Sequence, residues 1–434
     1  MTNQSLTPFP AGRRWTVAVA GTLLQTCLGT VYAWSYFQKP IMEQHGWKNE
    51  AVTWVFSLAI CFLGLAAAWG GLQLKKGRTE PRAIAITGGL LFALGHLVTA
   101  AALWQSQLWL LLLGYGVIGG TGLGLAYVVP VATAARWFPD RKGLVTGMVV
   151  MGFGLGALLM SKVLAPLALR WFDGNLAVAF AAMGCVFAVL APAAGAFMKN
   201  PPEHGDADAE ERESEGAKAP AGPVTAAAAA AAGDEGGWGK FGLLWLLFFC
   251  NIFVGISIIS FQSPLLQDLL RIRNPDISAA QLASGGATLI ACGAIFNGLG
   301  RFLWGAVSDR IGQSLAFTLM LGSQIAVFAV LPQVGSPLLF GGLVCYILLC
   351  YGGGFGAIPS YVLALFGEKR MALLYGMILT AWSAGGIAGP KFMAWLRDHR
   401  PADAAPVAFY CSAALLAGGL VLTFLPALGV QRPR

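Results

Sequence analysis

The chain has 434 residues, of which 57% are hydrophobic and only 11% charged, with 57 glycines. That is too apolar for a soluble protein of this size and places it in the polytopic membrane class. The formal net charge of +8 does not point to nucleic acid, because Lys and Arg gather in short loops between apolar runs.

Long uninterrupted apolar runs carry the structural signal. Twelve can be counted, each near the ~20 residues that a helical crossing needs. The first six run over residues 15–37, 51–74, 83–103, 108–135, 143–167 and 176–197. The first lacks a small-residue cleavage site and is too long for a signal peptide, so it is expected to stay as a helix. Residues 199–240 then form the one long polar stretch, with Asp206, Asp208, Glu210, Glu211, Glu213 and Glu215 ahead of an alanine run. Such a composition cannot support a packed core. The second six runs cover 241–265, 279–307, 315–331, 338–365, 372–396 and 407–428. The expected plan is an all-α membrane protein with six helices in 1–198, an acidic, Ala-rich cytoplasmic linker at 199–240, and six helices in 241–434.

Of the 28 Lys and Arg residues, 18 fall on the side of the termini, nine on the opposite side, and Arg301 between. The positive-inside rule therefore puts both termini in the cytoplasm of a cell whose inner membrane holds the chain. All eight cysteines lie inside apolar runs without ligand spacing and read as small hydrophobes. The halves also repeat. Phe138-Pro-Asp-Arg-Lys leads to Gly147-Met148 with Pro130 upstream, and Phe366-Gly-Glu-Lys-Arg leads to Gly376-Met377 with Pro359 upstream, at offsets of 228 and 229 residues. Parallel six-span repeats build rocker-type transporters with a midplane site between the halves.

The eighth run carries Asn297 and Arg301 and ends in Gly305-Ala-Val-Ser-Asp-Arg-Ile-Gly312. If the helix meets water near Asp309, Arg301 lies roughly 12 Å deeper, close to the middle of a hydrocarbon layer about 30 Å thick. A guanidinium there stays charged and costs about 2.5–3.5 kcal/mol or more. No Asp or Glu lies between Asp276 and Asp309 to neutralise it. An unpaired buried cation points to an anionic ligand. Asn297, four residues earlier, shares its helix face.

The Gly305–Gly312 stretch resembles the loop signature of the major facilitator superfamily, although the matching first-half loop, beginning Gly70-Gly-Leu-Gln-Leu, lacks the Asp. A narrower resemblance rests on four motifs: Leu28-Gly-Thr-Val-Tyr-Ala-Trp-Ser, Ala135-Arg-Trp-Phe-Pro-Asp-Arg-Lys-Gly-Leu, Gly147-Met-Val-Val-Met-Gly-Phe-Gly-Leu-Gly, and Asn297-x-x-x-Arg301. Together they resemble the oxalate/formate antiporter family, itself similar to the monocarboxylate transporters. The resemblance implies the major facilitator fold and a substrate-binding role for Arg301 and Asn297. It implies aromatic cavity positions at Tyr32, Tyr127, Phe153, Tyr351 and Phe355. Oxalate-transporting members place a lysine in the eleventh span where this chain has Trp382. One buried cation matches one negative charge, so a small monocarboxylate such as lactate, pyruvate or formate is expected rather than oxalate, with Trp382 limiting its size.

Other residues take plainer readings. Lys162 and Lys391 are expected to snorkel to the outer face, and His96 to be a packed imidazole rather than a proton relay. Gly119–Gly124 and Gly152–Gly156 lie inside apolar spans and serve helix packing, not nucleotide binding. With no paired carboxylates, His/Cys cluster or nucleophile–base pair in the spans, neither an enzyme, a cofactor nor a metal is expected. A monomer in membrane lipid is the expected working unit, moving the anion by proton symport or by exchange. Alternatives are an oxalate/formate-type dicarboxylate exchanger, an exporter of cationic or neutral compounds, which requires an acidic cavity residue, and a non-transporting carboxylate sensor, which requires a signalling domain that the short termini do not supply.

Overall fold

The computed structural model describes residues 11–76, 79–138, 142–201 and 237–429. Eleven helices in them are long and apolar enough to cross a membrane: Gly12–His45, Asn49–Leu74, Pro81–Trp104, Leu108–Ala134, Gly147–Trp171, Leu176–Gly195, Gly237–Arg273, Ala279–Ile311, Gln313–Gln333, Pro337–Val362 and Ala404–Thr423. The remaining crossing, eleventh in chain order, follows a turn at Gly367 (φ +72°) and ends as the helix Thr380–His399. It carries Lys391, Arg397, Asp398 and His399 in its upper turns. Most of the linker, 202–236, and the loop residues Pro139, Asp140 and Arg141 lie outside the described residues.

Several helices run beyond their apolar stretches, the first to His45, the seventh over Gly237–Arg273 and the eighth to Ile311. Polar residues at helix ends keep their backbone bonds while the side chains leave the hydrocarbon, so hydropathy alone underestimates length. The eighth begins at a capping box, in which Gln281 N donates to Ser278 Oγ (3.2 Å) and Ser278 N donates to Gln281 Oε1 (3.1 Å).

Three crossings are irregular in ways the sequence did not announce. The first passes through a 3₁₀ segment at Thr30–Ala33, centred on Tyr32. The fourth and fifth contain π-helical segments at Leu112–Gly119 and Met160–Leu164. Such irregular turns are frequent where helices bend or serve function.

Within each half, small residues bring helices close. The eighth and tenth crossings touch backbone to backbone: a Cβ at Gly352 would collide with the Asn297 carbonyl, and one at Gly356 with the Arg301 carbonyl. Between the halves, the second crossing packs on the eleventh and the fifth on the eighth. The end of the bundle holding residues 45–49 and 399–404, called here the upper end, is fastened across both seams. Lys391 Nζ pairs with Glu50 Oε1 at 2.7 Å and lies 4.5 Å from the Trp54 ring centroid, while Glu50 N donates to Asp398 Oδ2 at 2.8 Å. Lys162 Nζ donates to Thr288 Oγ1. Both lysines do extend to this end, and there each binds the other half.

His96 is buried among Phe92, Tyr115 and Phe187, with Nδ1 3.0 Å from the Phe92 carbonyl, the packed imidazole expected. All eight cysteines are free.

Candidate functional site

At mid-depth the two halves meet around Arg301, which is 7% exposed. The Gly352 and Gly356 contacts press the eighth crossing against the tenth, and the Arg301 side chain runs past Phe355 of the tenth to reach the first half. There Nη1 donates to Tyr127 Oη at 3.0 Å, 174 residues away in sequence. The guanidinium carbon lies 4.7 Å from the Phe355 ring centroid and 5.9 Å from that of Phe153. Nη2 is buried without a hydrogen-bond partner among the described residues.

A hydrogen bond to a charged group contributes about 1.5–3 kcal/mol, and a desolvated cation–π contact up to about 2 kcal/mol. Those two interactions offset part of the desolvation cost and explain why the cation is tolerable when no anion is bound. They leave Nη2 of the fork without a partner among the described residues.

The aromatic positions singled out in the sequence converge here. Tyr32 and Tyr351, on the first and tenth crossings, share a hydrogen bond of 2.8 Å between their hydroxyls, across the seam between halves. Tyr32 packs edge-on to Phe153 at 4.9 Å, Tyr127 edge-on to Phe153 at 5.4 Å, and Tyr351 edge-on to Phe355 at 5.3 Å. Trp382 is fully buried at the centre, with ring centroids 4.7 Å from Phe355, 5.5 Å from Tyr127 and 6.5 Å from both Tyr32 and Phe153. Its indole fills the place where a second cation was looked for.

Asn297 behaves differently from its helical neighbour. It is buried, but its Oδ1 lies against Gly352 and has no hydrogen-bond partner among the described residues. Spacing put Asn297 and Arg301 on one face; the structure keeps them there without joining them.

One residue was missed. Gln25 Nε2 donates to the Tyr127 carbonyl at 3.0 Å, three residues before Pro130. Proline removes a helical donor and bends the turn before it, so Gln25 braces the stretch of the fourth crossing from which Tyr127 reaches Arg301. Nothing in the local pattern around Gln25 advertises this.

Comparison with known proteins gives this arrangement its context. Residues 14–390 match the family model described as Major Facilitator Superfamily. The chain is 26% identical over 386 residues to the oxalate:formate antiporter of Oxalobacter formigenes, covering 87% of this chain and 84% of that one. It is 28% identical over 475 residues to apicoplast pyruvate carrier 1 of Toxoplasma gondii (86% and 82%) and 24% identical to human monocarboxylate transporter 11 (98% and 84%). In three dimensions it is similar to a crystal structure of a bacterial homologue of the human lysosomal transporter Spinster in an inward-facing, occupied conformation, with a TM-score of 0.65, 16% identity, and 96% and 97% of the two chains covered. That likeness concerns the fold. Twelve helical crossings in two repeated halves, together with the family match over most of the chain, lead to one assignment: the protein is a multi-pass membrane transporter belonging to the Major Facilitator Superfamily.

Proposed function

We propose that the chain carries a small monocarboxylate (lactate, pyruvate or formate) across the inner membrane by alternating access. In this reading the six helices within 1–198 rock against those within 241–434, and the linker 199–240 and both termini are cytoplasmic. The upper end then faces outward, in keeping with the 18-to-nine distribution of basic residues. The observation that carries the reading is the Arg301 guanidinium, buried at the seam with one prong on Tyr127 and the other unpartnered.

The mechanism follows from charge. A carboxylate entering from either side takes the free prong and neutralises the cation, which lowers the cost of closing both halves over a low-dielectric site. The aromatic walls exclude water and limit the ligand to a few heavy atoms, with Asn297, Tyr32, Tyr127, Phe153, Tyr351, Phe355 and Trp382 forming the lining. The loaded carrier therefore reorients more readily than the empty one, by exchange or with a proton accompanying the anion. The names of the relatives, an oxalate:formate antiporter and a pyruvate carrier, support a small organic anion. A dicarboxylate exchanger is the second reading, and it needs a second cation where Trp382 stands.

Counterflow in proteoliposomes with labelled lactate, pyruvate, formate and oxalate, with and without a pH gradient, tests this directly. A monocarboxylate should exchange and oxalate should not. Arg301→Ala should insert and fold but abolish flux; normal uptake by that variant would end the mechanism.

A further inference from the structure

The eleventh crossing grips one residue of the other half at two points. Lys391 and Asp398 stand seven residues apart on the helix Thr380–His399, two turns, so both fall on the face that packs against the second crossing. Lys391 Nζ holds the Glu50 carboxylate at 2.7 Å, with the Trp54 ring centroid 4.5 Å away. Asp398 Oδ2 accepts from the Glu50 amide at 2.8 Å. That amide lies in the first turn of the helix Asn49–Lys76, where N–H groups lack a helical acceptor and a carboxylate is favoured. The second crossing therefore takes a cap for its first turn from the opposite half.

Two neighbouring arginines take no part in this grip. Arg397 pairs with Asp268 of the seventh crossing at 2.8 Å, within its own half, and Arg400 pairs with Asp403. At the second seam Lys162 donates to the Thr288 hydroxyl, a neutral acceptor. Among the described residues, every hydrogen bond or ion pair that joins the halves lies at the depth of Arg301 or nearer the upper end. Nearer the lower end the seams meet in van der Waals contact. A Cβ at Gly147 would stand 3.7 Å from the Phe302 ring, and one at Gly376 4.0 Å from the Ala68 carbonyl oxygen. Among these residues the polar fastening between the halves is one-sided.

We propose that Glu50 is the catch of a latch at the upper end, held through its side chain by Lys391 and through its backbone by Asp398. The latch biases the carrier toward conformations shut on that side. Opening there breaks an ion pair and a cation–π contact and uncaps a helix in one step, whereas opening at the lower end breaks none of the three. A ligand arriving at the upper face meets a site open only part of the time, so its apparent affinity falls by that fraction. The Lys391 and Glu50 side chains are 16% and 43% exposed. Water therefore screens the pair, and the bias is about fivefold. The latch rests on the reading that the halves rock about a central site, yet it can fail without that reading failing.

Hydrogen exchange of the full chain in nanodiscs, with no ligand added, reads the latch directly. In Glu50→Gln and in Lys391→Gln, the amides of residues 45–54 and 395–404 should exchange about fivefold faster, with little change near the lower end. Asp398→Asn keeps an acceptor but loses its charge, and should give about a twofold increase. Exchanging the charges, Glu50→Lys with Lys391→Glu, should bring protection back toward that of the unaltered chain, which a fold damaged at this end would not do. In proteoliposomes, Lys391→Gln should lower half-saturation for lactate about fivefold at the upper face and shift it by less than about twofold at the lower. Unchanged exchange in both single variants, no recovery in the charge-exchanged chain, or equal shifts of half-saturation at the two faces would each overturn the latch. Lack of lactate flux in the unaltered chain would instead fail the central reading and leave the exchange result standing.

Discussion

The second and eighth crossings hold equivalent places in the two halves, with Gly70 and Gly305 matched near their lower ends, yet they do different work. Where the eighth carries Asn297 and Arg301, the second carries Phe62 and Ala66. At this depth the second crossing is given over to packing on the other half. Ser383 Oγ of the eleventh crossing donates to the Cys61 carbonyl at 2.9 Å, and a Cβ at Gly64 would collide with that same hydroxyl. Ala66 itself packs on Gly124. A duplicated scaffold has thus kept its helix-packing geometry twice and its charge once. On the proposed reading, the difference makes recognition one-sided: a cation from one half, an aromatic and hydroxyl wall shared by both.

The largest change to that contrast is Trp382→Lys, which supplies a second buried cation on the eleventh crossing. With a monoanion bound, one charge remains uncompensated at about 2.5–3.5 kcal/mol, so lactate counterflow should fall about a hundredfold while oxalate exchange appears. Undiminished lactate transport in that variant would place Trp382 outside the binding region. Tyr127→Phe is the next in size. It removes the hydroxyl that steadies Arg301 from the other half, and half-saturation should rise about tenfold, as expected for loss of a charge-assisted bond of about 1.5 kcal/mol, measured by substrate-dependent counterflow. The smallest effect belongs to Ser383→Ala on the packing side of the comparison. It deletes a neutral hydrogen bond of about 1 kcal/mol and should lower the thermal midpoint by about 2 °C with little change in transport. A transport defect as large as that of Tyr127→Phe would show that the second crossing does more than pack.

Much of this was legible in the chain itself, for reasons that are physical. A bilayer demands long apolar helices with internally satisfied backbones, so the crossings declare themselves as composition, the eleventh included, although its helix is interrupted at Leu379. Arg301 stood out because nothing nearby in sequence neutralises it. Its companions Tyr32, Phe153, Tyr351 and Phe355 came from resemblance rather than periodicity, and the structure gathers them around the guanidinium. What the chain did not disclose are pairings between distant partners. Glu50 and Lys391 are 341 residues apart, and neither carries a local sign that it will meet the other. The support from Gln25 to the Tyr127 carbonyl is hidden for the same reason. The 3₁₀ turn at Tyr32 has no proline or glycine pair that would mark it in advance.

The backbone contact of Gly352 and Gly356 with the turns of Asn297 and Arg301 has an evolutionary consequence. With those turns locked onto the tenth helix, the backbone that carries the guanidinium has no room to move toward it without clashing. Descendants of this carrier that acquire new cargo must therefore do so by exchanging the side chains facing it, at Tyr127, Phe153 or Trp382, and not by relocating the charge. The anchor is inherited as a fixed datum, and diversity is written on the wall opposite.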